Sequence, residues 1–174
     1  TSLEESQESL IKIKHHLTMT TGLDYLVDNL NCTDPNCLTY KNTPGTNWFY
    51  HNATYSLLKD IIENTSETTY NDFTNQKVKM KIGMGGSWIQ SNYSNIYWST
   101  ARDMARFGLL ILNEGVWDNQ VILSDTNYFS NMVNTSQQMN ESYGYLWWLN
   151  GKDSLIPPGI TFPIQTSLAS NAPE

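Results

Sequence analysis

The sequence predicts a mainly α-helical fold with one strand, about Tyr143–Leu149, near its C-terminal end. Three observations lead there. The chain has 174 residues, 39% of them hydrophobic, which is enough for one domain with a buried core. Several stretches carry helical spacing together with start and stop signals. Only YGYLWWL, bounded by Gly144 and Gly151, reads as extended. A lone strand cannot satisfy its own backbone. It is therefore either a misread part of an all-α domain or a member of a sheet whose other strands lie elsewhere.

The elements follow in order. Leu10–Lys14 (LIKIK) alternates briefly, and HHLTMTTGL then reads as a short helix stopped by Gly22. Asp24 to Thr46 is a long polar loop. Asn52 can cap a helix that runs to about Thr65. Its face of Tyr55, Leu58, Ile61, Ile62 and Thr65 points inward, while Ser56, Asp60, Glu63 and Glu67 point to solvent. Tyr70–Lys81 is a second helical stretch, followed by the glycine-rich turn GMGGSW. The clearest helix is Thr100–Asn113, with Ser99 or Thr100 as cap, Asp103 in the first turn and Gly115 at the end. Leu123–Met132 is one more, capped by Ser124. Residues 150–174, with Pro157, Pro158, Pro163 and Pro173, read as an extended loop or tail of a single 1–174 domain.

Charge and composition narrow the partners. A net charge of −7 leaves no basic stripe for nucleic acid. No apolar run reaches membrane-spanning length, so no membrane span is expected. Cys32 and Cys37 flank the turn-forming Asp34-Pro35 in NCTDPNC. They are a disulfide candidate, with two free thiols on a loop as the alternative, and no nearby His or Cys suggests a metal. A disulfide points to an oxidising compartment. Asn-x-Ser/Thr sequons occur at Asn31, Asn52, Asn64, Asn92, Asn134 and Asn140, in a chain so rich in these residues that most arise by chance.

The chemistry-bearing patterns centre on WFYHNATYSLLKDIIE, which holds Tyr50-x-Asn52 and Ser56-x-x-Lys59. A serine nucleophile needs a base, and lysine or tyrosine can serve. Ser56 sits on the solvated face about a turn inside its helix, where the backbone N–H groups that would bind an oxyanion are already bonded. Lys59 is placed to pair with Glu63. Ser9-x-x-Lys12 falls in the alternating stretch, which would throw the two side chains to opposite faces. Both Ser-x-x-Lys matches therefore read as accidental. Tyr50 and Asn52 lie just before a helix, where groups can converge on a ligand. The alternative is a packed tyrosine beside a helix cap.

The segments together resemble the serine beta-lactamase and penicillin-binding-protein superfamily, in its class C-like branch with related esterases and D-aminopeptidases. HHLTMTTGL is similar to its HLLTHTSGL helix, and Trp48–Glu63 to its W-x-Y-x-N-x-x-Y-x-L-L-x-x-I-I-E segment. STARDMARFGLLILNEGVWDNQVILS and YGYLWW follow in the same order. The resemblance covers about His15 to Leu149 and implies the helical lobe of that α/β fold. It implies acyl-enzyme hydrolysis of a small amide or ester, with Tyr50 as base or proton relay and Asn52 orienting the acyl group. No cofactor is implied. Neither the family's upstream Ser-x-x-Lys nor its late-strand Lys/His-x-Gly is matched. The expectation is therefore a fragment, inactive alone, partnered by a sheet-bearing lobe or by a second copy of itself. It would be periplasmic or extracellular. The rival expectation is a non-catalytic helical binding or structural module derived from the same family.

Overall fold

The computed structural model describes residues 6–165. The chain forms two compact units, one running through Leu58 and resuming at Ser130, the other Lys59–Phe129. Among the described residues helix outweighs strand, 38% to 14%, so the mainly α expectation holds in its coarse form. The expectation of a single strand does not hold. The strands found form three separate two-stranded hairpins, and Tyr143–Leu149 belongs to none of them.

In the first unit the LIKIK stretch is not a strand, and only Ile11 and Lys12 keep extended backbone. Gln7–Leu10 is a 3₁₀ turn, and helix α1 is Ile13–Leu17. Local capping overrides the alternation, because the Lys12 N–H donates to His15 Nδ1 at 3.0 Å and starts the helix. The helix also stops before Gly22. The Thr18 hydroxyl donates to the Lys14 carbonyl at 2.9 Å, and Met19 turns the chain with φ 59°. Gly22 serves a different purpose. Its φ is +80°, its carbonyl accepts the N–H groups of Lys41 and Asn42, and a Cβ there would lie 2.0 Å from the Asn42 oxygen. This contact lays Thr18–Leu23 beside the returning loop, with a bridge between Leu23 and Tyr40. Within the loop, Pro35–Cys37 is a 3₁₀ turn and Cys32 is disulfide-bonded to Cys37.

Helix α2, Asn52–Ser66, starts in this unit. The core beside it is Met19, Trp48, Tyr143 and Ile156, with Tyr50, Tyr55, Met139 and Ile160 packed against it. The expected strand Tyr143–Leu149 is a tight reversal. Tyr143 bridges Trp148, the Gly144 N–H donates to the Trp147 carbonyl at 2.8 Å, and Leu146 has φ 57°. Gly144 permits it, since a Cβ there would lie 1.9 Å from the Met132 oxygen. The aromatic run bends in order to bury Tyr143, which is 1% exposed. Beyond it, Ile156 is buried and its backbone N–H and carbonyl are both held by the Asn140 side chain. The part of the expected tail after Gln165 lies outside the described residues.

The second unit continues from α2 into α3, Tyr70–Thr74, a π turn at Asn75–Lys79, and α4, Met80–Ile82. The predicted Tyr70–Lys81 helix is thus real but widened at its middle, and Gly83 ends it with φ 65°. Strands β1, Ser87–Ser91, and β2, Ser94–Trp98, form a hairpin with Trp88 opposite Tyr97, which the sequence reading missed. Helix α5, Ala101–Leu112, is capped by Thr100, whose hydroxyl accepts the Asp103 N–H. Short strands β3, Val116–Trp117, and β4, Gln120–Val121, pair before α6, Thr126–Val133. The α6 cap is Asp125 rather than Ser124, since Asp125 Oδ1 accepts the Tyr128 N–H at 2.8 Å. In the first unit, after α6, β5, Ser154–Leu155, pairs with β6, Ile164–Gln165.

Two glycines separate backbone strain from crowding. Gly22→Ala meets both, whereas Gly159, with φ +87°, has no heavy atom within 4 Å of an added Cβ. In urea denaturation Gly159→Ala should cost about 1 kcal/mol, and Gly22→Ala at least about twice that. Equal losses would mean that the Gly22–Asn42 approach is not tight.

Candidate active site

The site is built on the short extended run that enters α2. The Phe49 N–H donates to the Met19 carbonyl at 3.1 Å, and Trp48 is 2% exposed against Tyr143. These contacts set the direction of Tyr50. Its ring stacks on Trp148 at 5.7 Å and 22°, meets Tyr143 edge-on at 6.2 Å, and lies 6.1 Å from Tyr55. Its hydroxyl makes no hydrogen bond among the described residues. Burial, and then Tyr55, push its pKa above the ordinary 10.0, and no cation among the described residues opposes them. Tyr143 is pushed much further up by its deeper burial.

Asn52 is the first residue of α2, and its side chain does not cap the helix. Its Nδ2 donates to Asn31 Oδ1 at 2.7 Å. Asn31 is held in turn by Asn29 Oδ1, which accepts from its backbone N–H at 3.0 Å and from its Nδ2 at 3.3 Å. The Ala53 N–H donates to the Leu30 carbonyl at 2.9 Å, so the helix start is pinned to the loop that the Cys32–Cys37 disulfide closes. With Nδ2 committed, Asn52 Oδ1 is the end left for a ligand, and it has no partner among the described residues. Asn31 was not singled out from the sequence. It lies 21 residues before Asn52, and no local pattern links them.

His51, between the two, is a buried anchor. Its Nε2–H donates to the Asp24 carbonyl at 3.3 Å, which leaves Nδ1 buried and unpartnered among the described residues. His16 donates from Nδ1 to the Thr54 carbonyl at 2.9 Å. Burial lowers both pKa values. Neither Ser-x-x-Lys match is assembled as a catalytic pair. Ser9 is exposed and donates to the Ser6 carbonyl, Ser56 donates to the Asn52 carbonyl at 3.0 Å, and Lys59 pairs with Glu63 at 2.8 Å. Cys32, Asp34 and Cys37 converge, but the disulfide consumes both thiolates that a metal would need. Trp148, besides stacking on Tyr50, lines a cavity of about 420 Å³ with Asn134, Trp147, Asn150 and Lys152.

The sequence matches the Beta-lactamase family over residues 3–163. No curated protein matches it. Among solved structures it is similar to a protein from Bacteroides dorei DSM 17855 assigned as a beta-lactamase, at 18% identity and TM-score 0.67, over 84% of this chain and 55% of that one. It is also similar to a Bacillus anthracis protein assigned as a 6-aminohexanoate-dimer hydrolase, at 18% identity and TM-score 0.64, over 85% and 52% of the two chains. A penicillin binding protein from Bacillus halodurans gives 18% identity and TM-score 0.59, over 85% and 62%. The likeness is one of fold, and the chain spans between 52% and 62% of the length of these structures.

Two titrations test the site. In ¹³C-tyrosine NMR, the resonance lost in Tyr50→Phe should titrate with a midpoint above 10.0 in the wild type. A midpoint at or below that value would mean that a cation reaches Tyr50. On the acid side, all three histidines are held below 6.5 when folded, so the unfolded chain takes up protons first. Their contribution to stability is complete above pH 6.5 and is lost as pH falls through 6.5 toward the lower folded values. Asp24 and Glu63, held below 3.8 and 4.5, give a separate loss at lower pH. Urea unfolding against pH should show the first decline, and His16→Gln should flatten it.

Proposed function

The chain belongs to the beta-lactamase family, and from that premise we propose that Tyr50 and Asn52 are the proton-transfer and acyl-orienting groups of a serine hydrolase acting on a small amide or ester. The observation that carries this reading is the pairing of two different preparations. Tyr50 is half-buried with its hydroxyl unpartnered among the described residues, and Asn52 has its nitrogen tied back so that its oxygen is left without a partner among them. A structural tyrosine or a helix cap would need neither.

In the proposed reaction a serine oxygen attacks the substrate carbonyl and an acyl-enzyme forms. The serine proton passes through a lysine and Tyr50 to the leaving nitrogen or oxygen, and water then hydrolyses the acyl group. Asn52 Oδ1 accepts a hydrogen bond from the lysine or from an N–H of the substrate's acyl side. Tyr50 raised above 10.0 is a poor base at neutral pH. It becomes one when an ammonium group lies beside it, as the serine's lysine would. Ser9 and Ser56 donate to backbone carbonyls and Lys59 pairs with Glu63, which supports a nucleophile, its lysine and an anion-binding Lys/His-x-Gly motif all supplied from outside these 174 residues. The complement is a sheet-bearing lobe, whether in the same polypeptide or another. The structural neighbours are named for beta-lactams, an aminohexanoate dimer and penicillin, which share an amide carbonyl, so an amide is the first substrate class to test. The disulfide supports work in a periplasm or outside the cell.

The 174-residue chain alone should take no label from a fluorescent penicillin or a fluorophosphonate, at Ser9, Ser56 or elsewhere. Extended with its flanking coding sequence, it should hydrolyse a chromogenic cephalosporin or a nitrophenyl ester. Tyr50→Phe should then lower kcat on the order of a hundredfold. Turnover indifferent to Tyr50→Phe would sink the assignment. Stoichiometric labelling of the short chain would place the nucleophile within it.

A further inference from the structure

The amide of Asn52 is the last of three in a relay. Asn29 Oδ1 accepts from the Asn31 backbone N–H at 3.0 Å and from Asn31 Nδ2 at 3.3 Å. With that nitrogen engaged, the oxygen end of the Asn31 amide faces Asn52 and accepts from its Nδ2 at 2.7 Å. An amide carries donors at one end and an acceptor at the other, so each of these fixes which way round the next one sits. Turning Asn31 over would set its nitrogen against the Asn52 nitrogen and its oxygen against the Asn29 oxygen. The backbone of the same turn is joined to α2 as well, since the Leu30 carbonyl accepts the Ala53 N–H at 2.9 Å. The Cys32 N–H closes the turn onto the Asn29 carbonyl at 3.2 Å.

Neutral hydrogen bonds at a partly wetted surface contribute little each, and Asn29 is exposed. A covalent bond adds to them. Cys32, 3% exposed, directly follows Asn31 and is bonded to Cys37. Just beyond Cys37 the loop is firmly laced: the Thr39 carbonyl accepts the Asp24 N–H at 2.8 Å, Tyr40 bridges Leu23, and Lys41 and Asn42 donate to the Gly22 carbonyl. The disulfide ties the 29–32 turn to that laced end, while Tyr25, stacked on Phe49 at 4.3 Å, holds the beginning of the loop. Opening the disulfide returns chain freedom to the residues between. A dithiol reductant opens it in two exchanges. One thiolate attacks Cys37, the more exposed cysteine, and Cys32 leaves as a thiolate and takes up a proton. The second thiol then closes the reagent's own disulfide and frees Cys37. On the reading of Asn52 as the acyl-orienting group, we propose that the Cys32–Cys37 disulfide sets the orientation of Asn52 through the positioning residue Asn31, so that the candidate site is assembled in the oxidised chain and loosened in the reduced one.

NMR of the 174-residue chain tests this without turnover. The side-chain ¹⁵N–¹H₂ signals of Asn52, assigned by their loss in Asn52→Asp, should lie away from the free-amide position in the oxidised chain. Dithiothreitol, the double variant Cys32→Ser/Cys37→Ser and, with the disulfide intact, Asn31→Leu should each move them to that position while the α5 backbone signals stay in place. Asn29→Asp, which keeps an acceptor for Asn31, should leave the Asn52 signals where they are. Asn52 signals unmoved by reduction or by Asn31→Leu would overturn the inference. Loss of the α5 signals on reduction would overturn it too, because the disulfide would then hold the fold and not the site. In the chain extended with its flanking coding sequence, reduction or Asn31→Leu should lower kcat by about tenfold or more, as for a displaced positioning group, with a smaller change in KM. Turnover indifferent to Asn52→Ala would remove Asn52 from the reaction, and with it redox control of turnover, even where the NMR signals move as expected.

Discussion

Everything in the first unit answers to the burial of Tyr143. Its ring meets Trp148 edge-on at 4.9 Å, Trp48 at 5.5 Å and Tyr50 at 6.2 Å. Edge-to-face pairs of this kind add about 0.5–1.5 kcal/mol each beyond the area they bury. The geometry is demanding, because one ring must stand close to perpendicular to three partners at once. The aromatic segment therefore bends at Gly144 and Leu146 instead of running straight. Asn140 then ties down Ile156, and the Ser142 hydroxyl donates to the Ser154 carbonyl at 2.7 Å, so the stretch after the reversal is held against the same centre.

This cluster also sets the chemistry open to Tyr50. A phenol surrounded by other rings loses hydration and keeps its proton. The same rings hold it in one orientation, which is what a proton-transfer group needs. The cluster thus supplies positioning and withholds activation. The Asn31–Asn52 contact does something comparable on the other side of His51, committing the Asn52 nitrogen and leaving its oxygen without a partner among the described residues. Orientation is written into these residues, and charge has to be brought to them.

What the sequence made legible was local. Thr100, Asp103 and Gly115 mark α5 because cap, first-turn acid and terminating glycine act within a few residues of one another. The extent of α2 followed from periodicity, and Tyr-x-Asn could be found by its segment order. What stayed hidden was decided at a distance. Nothing near Tyr143–Leu149 announces that Met132 presses on Gly144, so an aromatic run bounded by glycines reads as a strand. The β1–β2 hairpin turns through Asn92 at φ 51°, a left-handed residue without the usual glycine. Asn31 became part of the site only when the loop closed by Cys32–Cys37 folded onto the start of α2.

The Asn31–Asn52 contact has a consequence for how the protein can be made. Both residues head glycosylation sequons, Asn31-Cys32-Thr33 and Asn52-Ala53-Thr54. The nitrogen that a glycan would occupy on Asn52 is the one that donates to Asn31, and the corresponding nitrogen of Asn31 donates to Asn29. A secretory host that attaches sugar during synthesis reaches these amides before folding has hidden them. The sugar would leave that nitrogen a single N–H and wedge a bulky, hydrated group between Asn52 and Asn31, where the loop packs on the start of α2. Cells that form disulfides without modifying asparagine are the compatible makers of this site.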